Sequence, residues 1–328
     1  TPHPDPKNAN TLDTEPVMLH YLNGTWSVVP NPARVRSAQV SVILTSVSMD
    51  SPTDGWAIGH AVYLTVPGVV ADGATMGITL HYSGGQWTVA DEFYAYAPTS
   101  VFMRAADDGW IVGDAAGMVL HYDGRAWTPA PVPSRAWLLP AAVTGVRGGD
   151  VWVAATDDSG SAGSGGFDGD APEVVLHYDG RNWAREILPD PHMRITGLAM
   201  TSPTTGWAVG VLPRPTRGSG FGDATQPDNA VILRYQAGTW EEQARFPGPV
   251  DSFTSFTDVS MVSASEGWAV GTGGLIVHYI QGSWTRVSSH TNQALQSIAM
   301  VSATEGWAVG DGGTILHYSG GAWSRYQG

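Results

Sequence analysis

The sequence predicts an all-β protein folded as a single β-propeller, and three observations carry that expectation. An aliphatic–His–Tyr phrase with a Trp five residues after the Tyr recurs seven times, at Leu19-His20-Tyr21/Trp26, Leu80-His81-Tyr82/Trp87, Leu120-His121-Tyr122/Trp127, Leu176-His177-Tyr178/Trp183, Leu233-Arg234-Tyr235/Trp240, Val277-His278-Tyr279/Trp284 and Leu316-His317-Tyr318/Trp323. A second phrase, Gly-Trp-Ala-Val-Gly or a variant, precedes six of these copies, at Trp56, Trp110, Trp152, Trp207, Trp268 and Trp307. No window places apolar residues at helical spacing over ten or more residues. Repetition of one small unit fixes the architecture before any single residue is interpreted.

Each unit reads as four short strands. The first is aliphatic–small–Met, as in Val47-Ser48-Met49, Leu198-Ala199-Met200 and Val259-Ser260-Met261. Its small residues suit the crowded centre of a propeller. A polar turn such as Ser302-Ala303-Thr304-Glu305 leads to the Gly-Trp strand. A Gly-rich turn such as Asp311-Gly312-Gly313 leads to the aliphatic–His–Tyr strand, and a further Gly turn leads to the strand with the last Trp. Runs of β-branched and aromatic residues between Gly, Asn, Asp and Ser are strands joined by hairpins. Four antiparallel strands per unit of roughly 40 residues describe a propeller blade.

The two phrases hold thirteen of the fourteen tryptophans, leaving only Trp137, so these rings are expected to be packing residues of the repeat. The six repeated histidines sit one per blade at one strand position, which suits a structural role better than a shared metal. The copy with Arg234 keeps the pattern without the imidazole.

The N-terminal unit is short. Aligning His20 on His317 leaves Thr11-Leu12-Asp13 as a worn second strand and no room for a first. The expectation is seven blades with an incomplete first blade; the alternative is six blades plus an extra N-terminal hairpin. Residues 1–16, rich in Pro and Asn, are expected to be a flexible tail, and residues 17–328 one propeller domain. An unfinished blade leaves an unpaired edge, which something must cover.

Composition excludes several functions. With no cysteine, thiol catalysis, Cys-ligated metals and disulfides are absent. The net charge is −14 and Lys7 is the sole lysine, which argues against nucleic acid or membrane surfaces as partners. No apolar run is long enough to insert in a membrane. A Thr/Ser/Asn/Gly/Asp-rich, Lys-poor surface is associated with extracellular or cell-surface proteins.

The units differ mainly in one hairpin. From the strand-two Trp to the strand-three His or Arg the chain runs 10 or 11 residues in three units, and 25 to 27 in the units of Trp56, Trp152 and Trp207. All three insertions decorate the same face, a common place for binding. The first is apolar and contributes Tyr63, Leu64 and Val66; the other two share a Gly-Ser-Gly/Phe core with Phe167 and Phe221. These five residues are the candidate binding set. Asp157, Asp158, Asp168, Asp170 and Glu173 in or beside the second insertion are candidate Ca²⁺ ligands, as oxygen donors on a Gly-rich loop. No cofactor is otherwise expected. No Ser-His-Asp set or phosphate loop is identifiable.

The units Glu266-Gly-Trp-Ala-Val-Gly-Thr-Gly-Gly and Glu305-Gly-Trp-Ala-Val-Gly-Asp-Gly-Gly resemble the repeats of the photosystem II assembly-factor family of propellers. That resemblance implies a seven-bladed, non-enzymatic protein that binds other proteins. The family's site is a basic, arginine-rich face, whereas this chain is acidic and its 15 arginines are scattered. The strand ends Asp123–Trp127 and Ser319–Trp323 are also similar to the Asp-box hairpins of sialidase-type propellers but lack the full motif. No functional residue is carried over from either family. The expected function is a non-catalytic, secreted or cell-surface propeller that binds protein, including copies of itself in a filament through the tail and open first blade. The alternative is a carbohydrate-active propeller, a lectin or glycosidase, with a glycan partner.

Overall fold

The computed structural model describes residues 17–22, 24–32, 40–63, 75–94, 97–114, 117–133, 138–158, 171–213, 228–248 and 253–326. The chain divides into two compact units, at Val143 and Thr144. In the first unit, β1 (Met18–Leu22) and β2 (Thr25–Val29) form a two-stranded hairpin. One four-stranded sheet follows from β3 (Val40–Ser51), β4 (Asp54–Tyr63), β5 (Thr75–Ser83) and β6 (Gln86–Tyr94). A second is built from β7 (Pro98–Ala105), β8 (Asp108–Gly113), β9 (Val119–Tyr122) and β10 (Trp127–Pro129).

The unit boundary falls within β11 (Leu138–Gly145), whose sheet continues with β12 (Val151–Asp157), β13 (Glu173–Tyr178) and β14 (Trp183–Glu186). Three further sheets complete the second unit. They are β15 (Arg194–Ser202) to β18 (Thr239–Pro247) through β16 (Thr205–Leu212) and β17 (Asn229–Gln236); β19 (Phe256–Ser263), β20 (Glu266–Gly271), β21 (Ile276–Ile280) and β22 (Ser283–Val287); and β23 (Leu295–Ser302), β24 (Glu305–Gly310), β25 (Thr314–Ser319) and β26 (Ala322–Arg325). Each is an up-and-down meander in sequence order. The described residues therefore make six four-stranded propeller blades plus an N-terminal hairpin, the second of the two expected arrangements. The seven-blade count fails because the hairpin carries only the third and fourth strands of its repeat. The two inner strands have no counterpart among the described residues.

The repeat's residues are explained by strand geometry. In five blades the strand-two Trp lies directly opposite the strand-three His, as in Trp56↔His81 and Trp268↔His278. The two rings stack at centroid separations of 3.7 Å (Trp268–His278) to 4.5 Å (Trp56–His81 and Trp110–His121). The acid two residues before that Trp shares its face, because side chains alternate along a strand, and it is the diagonal neighbour of the same His. Asp54–His81 (3.1 Å), Asp108–His121 (3.3 Å), Asp150–His177 (2.9 Å), Glu266–His278 (3.5 Å) and Glu305–His317 (3.8 Å) are the resulting pairs. The fourth blade lacks the acid, having Thr205, and there Arg234 lies 5.6 Å over Trp207 in a cation–π contact.

The Tyr beside each His points to the other face and meets its own strand-four Trp at 5.0 to 5.2 Å, as in Tyr279–Trp284 and Tyr318–Trp323. Into this pair fits the strand-two Trp of the preceding blade. Trp56 reaches Tyr122 and Trp127 in the first unit, and Trp268 reaches Tyr318 and Trp323 in the second. Trp56 and Trp268 are thus each covered by their own His on one side and the next blade's aromatics on the other.

Inner strands are tied by hydroxyls. A Thr at the first-strand bulge bonds the main-chain carbonyl of the next blade: Thr45 to Pro98, Thr99 to Ala141, Thr196 to Phe256 and Thr257 to Leu295. The bulge leaves this residue out of the ladder, which frees its side chain to reach sideways. The two glycines of Gly-Trp-Ala-Val-Gly serve close approach. The first lies beneath the Met of strand one, as Gly267 lies under Met261. The second abuts backbone: a Cβ on Gly271 would lie 2.2 Å from the Ser255 carbonyl oxygen. We expect Gly271→Ala to destabilise the protein by roughly 2–3 kcal/mol, as overpacking against an immovable neighbour does. Gly313→Ala, in open space but at φ +69°, should cost about 1 kcal/mol. Chemical denaturation of the two variants checks this order.

Candidate functional site

The five residues predicted to bind fall at or beyond the ends of described segments. Tyr63 closes β4, opposite Val40. Leu64, Val66, Phe167 and Phe221 lie outside the described residues, as do Asp168 and Asp170. Of the remaining acids, Asp157 and Glu173 are engaged by protein groups. Asp157 is buried and its carboxylate takes a hydrogen bond from Arg185 Nη1 at 2.5 Å. Asp158 is half-buried and lies immediately after β12. Glu173 is buried, and accepts from the Thr156 hydroxyl (3.0 Å) and the Ile195 N–H (3.2 Å). Among the described residues no group of three His, Asp or Glu side chains could hold a metal together.

Glu173 has a structural task that its sequence position hides. Ile195 immediately precedes Thr196, just as Pro98 precedes Thr99 and Phe256 precedes Thr257. Those preceding residues receive the Thr hydroxyl of the blade before. The third blade offers Ala142 at the corresponding place, next after Ala141, and Glu173 reaches the Ile195 N–H instead. Burial raises the Glu173 pKa to about 7, outweighing the two hydrogen bonds and the nearby Arg194, which lower it.

His177 has a carboxylate at each ring nitrogen, Asp150 at Nε2 (2.9 Å) and Glu186 at Nδ1 (3.2 Å), and it stacks on Trp152 at 4.4 Å. With both nitrogens occupied it has none open to a substrate or a metal. Nearby Tyr235 has its phenol pKa raised by burial first and then by Glu186 and Asp150.

The N-terminal hairpin is the place where the repeat stops short. Among the described residues β1 pairs only with β2, through Leu22↔Thr25 to Met18↔Val29. Met18 packs on the core of the first sheet, against a cluster that includes Val42, Ala57 and Leu80. Leu19, Leu22 and Val28 are exposed. In a hairpin closed by a two-residue turn, the flanking pair exchanges both bonds and pairing alternates from there. Met18, His20 and Leu22 therefore face β2, while the N–H and C=O of Leu19 face the other edge, where no described strand pairs. In the complete blades that edge carries the Gly-Trp strand, with its Trp on the His. Among the described residues no ring stacks on His20. This edge was foreseen from the missing repeat strands, whereas the acid–His pairs and the task of Glu173 were not.

No family model matches the chain, and no curated protein matches it by sequence. Solved structures do match by fold. YCF48 bound to a D1 peptide is 15% identical, with 96% of this chain and 85% of that chain covered and a TM-score of 0.53. A catalytically inactive virginiamycin B lyase from Staphylococcus aureus, solved with quinupristin, is 14% identical over 88% of each chain, at a TM-score of 0.56. A puromycin-hydrolysing peptidase of Mycobacterium tuberculosis is 12% identical, with 85% of this chain but 45% of that chain covered, at a TM-score of 0.55. At these identities the likeness is one of architecture, shared by a peptide-bound protein and by enzymes: the chain has the β-propeller fold of YCF48 and of virginiamycin B lyase.

Proposed function

We propose that this protein is a non-catalytic propeller that binds other proteins, and that it does so by taking an extended strand of its partner onto the open edge of β1. The observation that carries this reading is the hairpin itself: two outer strands of a blade, anchored by Met18, with the main-chain groups of Leu19 directed to an edge that no described strand covers. An edge of this kind is a template for strand addition, in which main-chain bonds give affinity and alternate side chains give specificity. The six complete blades define the fitting strand: small and extended, with an aromatic residue opposite His20. YCF48 bound to a D1 peptide supports a peptide ligand for this fold. The Lys-poor, Cys-free composition supports a place outside the cell or at its surface. A second copy of this chain is one such partner, and light scattering reads that case directly.

A synthetic peptide of residues 295–310, the first two strands of the last blade, tests the reading. It should bind saturably, and its Trp307→Ala form should bind at least tenfold more weakly. Leu19→Pro in the protein removes an N–H that β2 does not use and is tolerated at an edge, so it should abolish binding with the fold intact. Equal binding to wild type and Leu19→Pro overturns the proposal.

A further inference from the structure

A groove of about 960 Å³ opens in the second unit, lined by Phe253 and Thr254, the turn Thr272–Gly274, the loop 288–293 and Arg325. Its chemistry runs against the rest of the chain. The chain carries 30 acidic and 16 basic residues, yet the described lining contains Arg286, Arg325 and His290 and no carboxylate. Nor is it apolar. Around the cations stand Ser288, Thr291, Asn292 and Gln293, and the exposed ring of Phe253 forms part of the wall.

Several groups are held in place. Arg286 donates from Nη2 to the Pro247 carbonyl (3.2 Å) and lies 5.7 Å over the Phe246 ring, which fixes its guanidinium, and no carboxylate among the described residues pairs with it. Ser289, which is buried, donates to the Thr291 carbonyl and receives the Thr291 N–H, so the loop is braced from inside. His290 is held at φ +56° beside the Ser288 hydroxyl. Left-handed backbone at a non-glycine residue is a cost that surrounding structure must sustain, and such positions cluster at ligand clamps. Arg325 is exposed and makes no ion pair among the described residues.

We infer that this groove binds an anionic saccharide. Guanidinium groups recognise a carboxylate through paired N–H donors. Hydroxyl and amide side chains match the donors and acceptors of sugar hydroxyls, and an exposed aromatic ring receives the C–H face of a pyranose. The volume is at the upper end for a drug-sized ligand and accommodates more than an inorganic anion. A docked protein would call for apolar anchors, and Phe253 is the one exposed aromatic in the described lining. The inference is independent of the strand-addition reading: no residue of β1 or β2 takes part.

Calorimetric titration with tetramers of galacturonate and of hyaluronate, set against a neutral galactose tetramer and a tetra-glutamate peptide, tests it. One of the acidic tetramers should bind at least tenfold more tightly than the neutral sugar and the peptide. Arg325→Gln and Phe253→Ala alter exposed side chains and spare the fold, and each should weaken that binding at least tenfold. Silence of both acidic tetramers, affinity unchanged in both variants, or a peptide that binds as tightly as the sugar would overturn the assignment.

Discussion

Trp268→Ala should destabilise the second unit by about 3–5 kcal/mol, the range for removing a large buried aromatic ring. The ring is fully buried, stacked 3.7 Å from His278 and set against Tyr318 (4.6 Å) and Trp323 (5.5 Å) of the following blade. Its loss opens a cavity and breaks the principal aromatic contact between the fifth and sixth blades. It also uncovers His278, whose pKa is lowered by burial first, with Glu266 acting in the opposite direction. Trp268→Phe keeps part of the stack and should recover a large share of the loss. Trp26→Ala removes a half-buried ring that packs on Tyr21 at 5.2 Å in a two-stranded hairpin and should cost much less. Denaturant unfolding of the three variants measures the order; equal losses for Trp26 and Trp268 would contradict the inter-blade account.

The second large effect is a pH dependence seated on Glu173. Its pKa is raised to about 7 in the folded protein from an ordinary value of 4.5, so between those limits the folded state binds more protons than the unfolded. Stability from this group is therefore greatest below about pH 4.5, falls as pH rises toward 7, and is level above that. The total change is on the order of 3 kcal/mol, at about 1.4 kcal/mol per pKa unit. Glu173→Gln keeps an acceptor for the Ile195 N–H and a polar partner for Thr156 but carries no charge. Unfolding measurements should find it close to wild type at pH 5 and more stable at pH 8. Other carboxylates contribute to the pH profile of both proteins, so the difference between the two profiles is the readout. Parallel profiles would show that Glu173 is not held neutral by burial.

The strands were legible because their signal is local. Gly-Trp followed by two apolar residues and Gly marks strand two in every blade except the third, where Val151-Trp152-Val153-Ala154 still serves. The first-strand Met and the glycine it covers belong to one hairpin. What the sequence hid depends on residues brought together from separate strands. Glu173 read as a calcium ligand because it follows a Gly/Asp-rich loop, yet its partners Thr156 and Ile195 stand 17 and 22 residues away. The groove draws Thr272, His290 and Arg325 from three segments, so no spacing rule groups them. One hidden feature did leave a trace. Arg234 replaces the repeated His in the blade where Thr205 replaces the repeated acid, and the paired change in sequence points to an acid–His contact.

Blade count turned on residues before the hairpin, where the repeat pattern fades. The same gap motivates strand addition. Amide hydrogen exchange of the protein alone, resolved at Leu19, tests the uncovered edge of β1 most directly. The account predicts that the Leu19 amide exchanges far faster than those of His20 and Leu22, which face β2. Protection equal to that of β21 would mean that the edge is already filled by the protein's own chain, and would contradict it.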